Sequence, residues 1–341
     1  MMWRILQMKK KLAVLMILFA VLPILLCGCQ TADTAITVGG ALEVMSVGEY
    51  TITGEAYQYW VLPYRYDYEN IYGTDFWSTT NGKELGRDVL NYVNSSIVNR
   101  YALLSLADEM AFELDEAKLS DLKASYETEK EQYGDSFAAY LKDNSLHESI
   151  YYPIVYLEDA RIDAFREYLY QESDLFKVSE QETEAYAQQE EYCGVRQILI
   201  RNDAGEDAAE NLESATKILA RLKNGEDFQT LMAEYSESSS QTVNQEGWTL
   251  SLHDENYAAY FLEALSSLKS GEISEVIPYE DDWQSWYLIL QRTLPDMDTV
   301  AYDLQTSKID TYMESYQETL NIRYCDGFDT IKIDDIVWTD E

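Results

Sequence analysis

The side chains that most often carry enzyme chemistry are few in this sequence. Its 341 residues include two histidines, His147 and His253, which lie far apart, and four cysteines. No CxxC, HExxH or paired-histidine spacing is present, so the sequence predicts no metal site. It also lacks a glycine-rich phosphate loop and a nucleophile elbow, and we expect no cofactor. Cys193 and Cys325 would form either one disulfide or two separate thiols, and the sequence leaves both open.

One cysteine near the start does carry a chemical signal. The opening MMWRILQMKKK is basic, and the apolar run LAVLMILFAVLPILL follows and ends in LCGC. This order resembles a bacterial lipobox, with Cys29 as the lipid-accepting residue. We therefore predict a lipoprotein signal peptide over residues 1–28, a tether over 29–48, and a lipid anchor at Cys29 on the extracytoplasmic face of the cell membrane. A retained signal anchor is the alternative.

The charge balance limits the possible partners. The chain has 25 Lys and Arg residues against 62 Asp and Glu residues, which gives a net charge of −37. Phosphates of nucleic acid would be repelled by such a surface, so we expect no nucleic-acid partner. The same charge favours solubility and suits partners that are basic or carry cations.

The pattern of residues 49–191 predicts helices joined by short loops. Apolar residues recur every three or four positions between Lys83 and Phe112, which is typical of a helix with one buried face. Thr53 and Asp115 stand where N-caps of two helices are expected. Residues 147–170 are predicted to form one further long helix.

From Tyr192 onward the pattern alternates between strands and helices. VRQILI (195–200) is rich in β-forming residues, and residues 208–236 predict two helices. Residues 260–277 predict a helix, a glycine turn and a strand, and SWYLILQRT (285–293) predicts a closing strand. Residues 294–341 predict a helix followed by a β-like stretch, TIKIDDIVW. The fold class is therefore α+β.

This second pattern resembles the parvulin domain of peptidyl-prolyl isomerases, over residues 192–293. The matching phrases are VRQILI, LKNGEDFQTLMAEYSES and FLEALSSLKSGEISEVI. Residues 49–191 resemble the helical N-terminal module of SurA-type and PrsA-type chaperones, in FELDEAKLSDL and YGDSFAAYLKDNSLHESIYYPIVYLEDARI. The resemblance implies that residues 294–341 pack back on that helical region.

The parvulin resemblance also implies a site. Parvulins resemble one another in having two histidines at the base of a pocket, a nearby Cys or Asp, and apolar walls. Carried over to this chain, Gln197 and Tyr287 stand at the histidine positions and Ser238 at the Cys/Asp position. Tyr257 and Phe261 stand at wall positions. We expect Gln197, Ser238 and Tyr287 to form a neutral hydrogen-bonded cluster, and we assign no catalytic residue.

The resemblance implies a membrane-anchored extracytoplasmic folding factor, a foldase or chaperone of secreted proteins. It would bind unfolded or secreted polypeptides and would have lost most isomerase activity with the histidines. Two alternatives stay open. One is an active peptidyl-prolyl cis–trans isomerase with an altered site, because rotation over the barrier of about 20 kcal/mol needs no covalent or proton-transfer step. The other is a non-catalytic envelope scaffold lipoprotein.

Overall fold

The computed structural model describes residues 38–202, 208–238, 247–281 and 284–338, and all structural statements concern these residues. The helices are α1 (Gly54–Tyr72), α2 (Thr80–Glu109), α3 (Glu116–Tyr133), α4 (Phe137–Asp143), α5 (Glu148–Ile150), α6 (Asp159–Gln171), α7 (Glu180–Gln189), α8 (Ala208–Lys223), α9 (Phe228–Tyr235), α10 (Ala259–Ser266) and α11 (Met297–Gln317). The strands are β1 (Glu43–Val47), β2 (Tyr50–Thr53), β3 (Tyr192–Arg201), β4 (Trp248–Ser251), β5 (Ile277–Glu280), β6 (Ser285–Thr293) and β7 (Ile322–Tyr324). The predicted α+β class is confirmed.

The chain divides into two compact units. The first unit contains the described parts of Met1–Ser105, Asp115–Glu158 and Leu320–Glu341, and the second contains those of Leu106–Leu114 and Asp159–Thr319. Helices α6, α7 and α11 are thus grouped with the strands of the second unit, in addition to residues 192–293. The domain limits predicted from the sequence stay a proposal.

A small antiparallel sheet with strand order β2-β1-β7 lies in the first unit. Strand β1 falls inside the predicted tether, so residues 43–47 form a strand of the folded unit and not a tether. The reason is composition: Val44, Met45 and Val47 are apolar and fully buried, unlike the small polar residues that open the predicted tether. Strand β7 lies where a helix was predicted, and the β-like stretch TIKIDDIVW instead contains short 3₁₀ turns.

The helices of the first unit begin where their capping residues predict. The Thr53 side chain accepts a hydrogen bond from Ala56 N at 3.3 Å, and that of Asp115 accepts one from Lys118 N at 2.7 Å. One stripe of α2 is buried against the core. Its members are Val89, Val93, Ile97, Tyr101 and Leu104.

The helix predicted over residues 147–170 is continuous but irregular. Its middle, Tyr151–Glu158, is π-helical and separates α5 from α6. Pro153 lies in this stretch and has no N–H to donate, so a regular i→i−4 ladder cannot run through it. The middle segment of the first unit, Asp115–Glu158, ends at the last residue of this π-helical stretch.

The second unit is built on an antiparallel sheet with strand order β4-β3-β6-β5. In the central pair, Gln197 lies opposite Leu290 and Ile200 lies opposite Tyr287. Because alternate residues of a strand point to opposite faces, this register creates two different faces. Ile198, Ile200 and Ile289 pack with α8 and α9 on one face. Val195, Leu288 and Leu290 pack with α10 on the other, and this register positions the site.

In the described part of the chain, no helix is long and apolar enough to cross a membrane. The predicted signal peptide and Cys29 lie outside the described residues.

Candidate functional site

Gln197 lies in the middle of β3, between Val195 and Leu199 on the face covered by α10. Its Nε2 donates a hydrogen bond to Ser238 Oγ at 2.9 Å. The chain after α9 brings Ser238 there because it runs along β3: Leu199 N donates to Ser236 Oγ at 3.1 Å, and Glu237 N donates to Leu199 O at 2.8 Å. The structure therefore brings together two of the three predicted cluster members.

The third predicted member, Tyr287, lies on the opposite face of the sheet, and the prediction is wrong there. Tyr287 pairs with Ile200 and packs against the α8–α9 core. Its hydroxyl donates to the carbonyl of Ala208 at 3.1 Å. The physical reason is register, since a shift of one residue along a strand moves a side chain to the other face. On β6, the residues that share the face of Gln197 are Leu288 and Leu290.

Three stacked aromatic rings form the wall beside Gln197. Phe261, on α10, is 7% exposed and lies between Trp248 and Tyr257. Its ring centroid is 6.3 Å from that of Trp248, at an interplanar angle of 7°, and 5.6 Å from that of Tyr257, at 15°. The predicted wall residues Phe261 and Tyr257 are thus brought together.

Trp248 is a wall residue that the sequence analysis did not predict. The available signal was the glycine before it. Gly247 has a φ of +91°, and a Cβ there would lie 2.3 Å from the carbonyl oxygen of Val195. Only glycine permits so close an approach, and it allows β4 to pair with β3 and place Trp248 on the wall.

A second aromatic stack continues along the same face. Tyr279 lies between Tyr260 and Trp286, with ring centroids 4.9 Å and 4.5 Å away and interplanar angles of 28° and 18°. Tyr260 and Trp286 also pack against the α10 core. The face therefore presents two stacks of aromatic rings, one on each side of α10.

The polar groups on this face include one cation, Arg292, whose Nη1 donates to the carbonyls of Leu265 at 3.1 Å and Leu268 at 2.9 Å. Burial raises the pKa of the Tyr257 hydroxyl and the pKa of the Cys193 thiol, so both stay protonated at neutral pH. Cys193 forms no disulfide with any described residue. His253 is exposed, with its Nε2 3.8 Å from Glu191 Oε2. No trio of His, Cys, Asp or Glu side chains in the described ranges is arranged to hold a metal ion.

This arrangement can bind but has little means of transferring protons. The aromatic wall can take up a proline ring or another apolar side chain. The amide of Gln197 and the hydroxyl of Ser238 can exchange hydrogen bonds with a peptide backbone. Nothing on this face, among the described residues, is positioned as a nucleophile with an adjacent base.

Comparisons with known proteins found several similar chains. The crystal structure of foldase protein PrsA from Streptococcus pneumoniae is similar to the chain at 17% identity and a TM-score of 0.33, over 73% of this chain and 86% of that one. Foldase protein PrsA of Clostridium botulinum (strain Langeland) is 23% identical over 233 residues, 62% of each chain. Foldase protein PrsA 1 of Streptococcus pyogenes serotype M18 is 27% identical over 213 residues, 60% of this chain and 56% of that one. The chain thus matches about three fifths of the length of these curated relatives.

Residues 198–291 match the family model of the rotamase PPIC-type PPIASE domain. The matched range begins one residue after Gln197. That range contains the aromatic wall, Ser238 and residues 198–201 of β3. The chain is therefore similar to the rotamase PPIC-type PPIASE domain over residues 198–291, and to PrsA foldases over about three fifths of its length.

Proposed function

We propose that the chain is an extracytoplasmic foldase, anchored to the cell membrane through Cys29, that binds unfolded or secreted polypeptides and catalyses proline isomerisation poorly. The observation that carries this proposal is the neutral Gln197–Ser238 pair beside an intact aromatic wall. The wall supports binding. The pair, which stands where the family resemblance implies a histidine and a Cys or Asp, supports the loss of catalysis.

Catalysis of amide rotation requires groups that favour the twisted amide over the planar one. Such preference comes from polar groups whose dipoles are aimed at the charge that develops in the transition state. One N–H of the Gln197 amide already donates to Ser238 at 2.9 Å, so that donor is directed at a protein oxygen. Binding of a proline ring needs only the apolar wall, which Phe261, Tyr257 and Trp248 supply.

The first unit contributes a further surface for unfolded polypeptide. The second half of α1 exposes Ile71 (67%) and Tyr72 (61%), and α2 exposes Tyr92 (60%). Tyr72 stacks on Phe76 with centroids 4.8 Å apart, and Tyr64 meets Tyr92 edge-on at 5.8 Å. Exposed aromatic groups of this kind are typical of protein-binding surfaces.

The first test measures cis–trans exchange in a short Ala-Pro peptide by NMR, with the mature chain present in catalytic amounts. We expect little acceleration, together with suppressed aggregation of an unfolded client protein. Tyr257→Ala should weaken peptide binding, whereas Tyr302→Ala, which removes an exposed tyrosine from α11, should not. Equal effects of the two substitutions would argue against the wall as the binding site.

The same wall favours a second candidate, an active isomerase with an altered site. Strong acceleration of exchange that is lost on Tyr257→Ala would favour that candidate over the proposal. The anchor is tested separately: Cys29→Ala should release the protein from the membrane fraction and abolish incorporation of labelled fatty acid. Unchanged incorporation would contradict lipidation at this residue.

A further inference from the structure

A cavity of about 180 Å³ lies in the first unit, between the 3₁₀ turn Thr74–Ser78, the first half of α2 and the segment after residue 330. Its floor is apolar and its rim is basic. Trp77, Leu90, Ile331 and Ile333 are buried lining residues, and Lys83, Arg87 and Lys332 are exposed ones. One acidic residue, Asp334, also lines the cavity.

The basic rim is unusual in this molecule. Acidic residues outnumber basic ones by 62 to 25 in the chain, yet three of the four charged lining residues are cations. In the described part of the chain, no carboxylate forms an ion pair with Lys83, Arg87 or Lys332. These three cations at the rim can therefore bind an anionic group whose apolar neighbour enters the cavity.

Hydrogen bonds hold the two walls of the cavity in place. Trp77 is 2% exposed, and its Nε1 donates to Glu69 Oε1 at 3.1 Å. Arg65 Nε donates to the same oxygen at 2.7 Å, and Arg65 Nη1 donates to the carbonyl of Ile336 at 2.8 Å. The Arg65–Glu69 pair thus fixes both Trp77 and the segment that contains Ile333, so the cavity is formed before any ligand arrives.

Gly86 lets α2 approach that segment. A Cβ at this position would lie 2.9 Å from Cγ2 of Ile333 and 3.6 Å from the ring of Trp77. The absence of a side chain therefore brings the backbone of α2 to the edge of the cavity.

We propose that this cavity binds an apolar side chain of a polypeptide segment in which a carboxylate stands next to that side chain. An apolar cavity of about 150 Å³ in another protein holds benzene, so a benzyl side chain matches this volume. The neighbouring carboxylate would meet Arg87, Lys332 and Lys83 at the rim. The inference rests on the proposed function, because the occupant is a polypeptide. It adds a local preference for acidic segments, although the net negative charge of the whole molecule repels such segments.

The test uses the mature full-length chain and two capped peptides, Asp-Phe-Glu and its uncharged counterpart Asn-Phe-Gln. The indole N–H signal of Trp77, assigned with Trp77→Phe, reports occupancy of the cavity. We expect the acidic peptide to shift this signal and the uncharged peptide to bind about three- to fivefold more weakly, the worth of a partly exposed ion pair. Arg87→Gln combined with Lys332→Gln should remove the difference.

Lys118→Gln combined with Lys123→Gln is the matched control. It changes the net charge equally on exposed positions of α3 that do not line the cavity. The proposal would be overturned if the two peptides bound equally, or if the Trp77 signal did not shift. It would also be overturned if the control variant lost the difference in affinity as fully as the Arg87→Gln, Lys332→Gln variant. An Ala-Pro peptide added to the same sample reports on the Trp248 indole instead. A Trp248 response without a Trp77 response would overturn only this inference and leave the proposed function standing.

Discussion

The side-chain amide of Gln197 and the hydroxyl of Ser238 do not titrate in the pH range in which proteins are folded, whereas an imidazole titrates near pH 6.5. Burial raises the pKa of Tyr257 and of Cys193, which keeps both neutral in the same range. Recognition by these four residues therefore depends on shape and on neutral hydrogen bonds.

We expect binding of a neutral Ala-Pro peptide to be independent of pH between about 5 and 8, because no group on the face changes charge there. Gln197→His should introduce a pH dependence centred near the ordinary imidazole pKa of about 6.5. The dissociation constant, measured by NMR titration across this range, checks both statements. A pH-dependent affinity in the unsubstituted protein would show that a different titrating group takes part.

Phe261 contributes to stability as well as to the wall. Because it is 7% exposed and lies between two rings, Phe261→Ala would leave a cavity. We expect the free energy of unfolding to fall by about 3–5 kcal/mol, the usual cost of truncating a buried phenylalanine. Urea unfolding followed by far-UV circular dichroism checks this value. Phe261→Leu should cost clearly less, and an equal loss in both variants would contradict a simple cavity effect.

The site residues differ in how far the sequence could predict them. The Gln197–Ser238 contact was predictable because both residues occupy recognisable motif positions on β3 and after α9. Tyr287 was misplaced because a strand motif read with an error of one residue assigns the wrong face. Trp248 was missed because its place on the wall depends on the pairing of β4 with β3, and the single glycine before it does not identify the partner strand.

At the scale of elements, α7 and α11 are joined by one carboxylate. Glu182 forms a capping box with Ser179: its Oε2 accepts from Ser179 N at 2.9 Å, and its own N donates to Ser179 Oγ at 3.3 Å. Its other oxygen accepts from Lys308 Nζ, on α11, at 2.8 Å. The hydrogen bond from Lys308, followed by those from Ser179, lowers the pKa of Glu182 from 4.5 to about 2.

A lowered folded-state pKa means that this contribution to stability is present above pH 4.5 and is lost as the pH falls through about 2. We therefore expect Glu182→Gln to flatten the pH dependence of the urea midpoint between these values. Glu184→Gln, an exposed substitution on the same helix, should leave that dependence unchanged. An unaltered profile for Glu182→Gln would show that the ion pair does not persist in solution.

Long elements were easier to predict than short ones. The closing strand was predicted over residues 285–293 and is observed as Ser285–Thr293, and the caps of α1 and α3 follow from Thr53 and Asp115. Strands β4 and β7 contain four and three residues, too few to show a period. Strand β4 forms because it pairs with β3, and β7 forms because it pairs with β1. Both partner strands lie far away in the sequence, so the local sequence does not predict the short strands.

At the scale of the whole molecule, if the chain binds unfolded clients as proposed, the net charge of −37 should control which of them bind quickly. The Debye length falls from roughly 30 Å to 3 Å between about 0.01 M and 1 M salt. We expect suppression of aggregation to weaken over this range for a basic unfolded client and to strengthen for an acidic one. Light scattering of two such clients checks this. Identical salt responses would show that capture does not depend on long-range charge.

The first unit depends on residues that lie far along the chain. Gln58 Nε2 donates to the carbonyls of Val38 at 2.6 Å and Val337 at 2.8 Å, and Ile333 and Ile336 are buried. Deleting residues 320–341 should therefore abolish hydrogen-exchange protection in the buried stripe of α2 and preserve it in β3 and β6. Retained protection in α2 would contradict a requirement for these residues.

The pairing of β1 with β7 can form only after most of the chain has been synthesised. Met45 of β1 pairs with Tyr324 of β7, 279 residues later (324 − 45), and at 5–20 residues per second a ribosome needs roughly 15–60 s to supply that length. Throughout this interval β1 lacks one of its two neighbouring strands. The first unit can therefore complete its sheet only after the second unit has been synthesised.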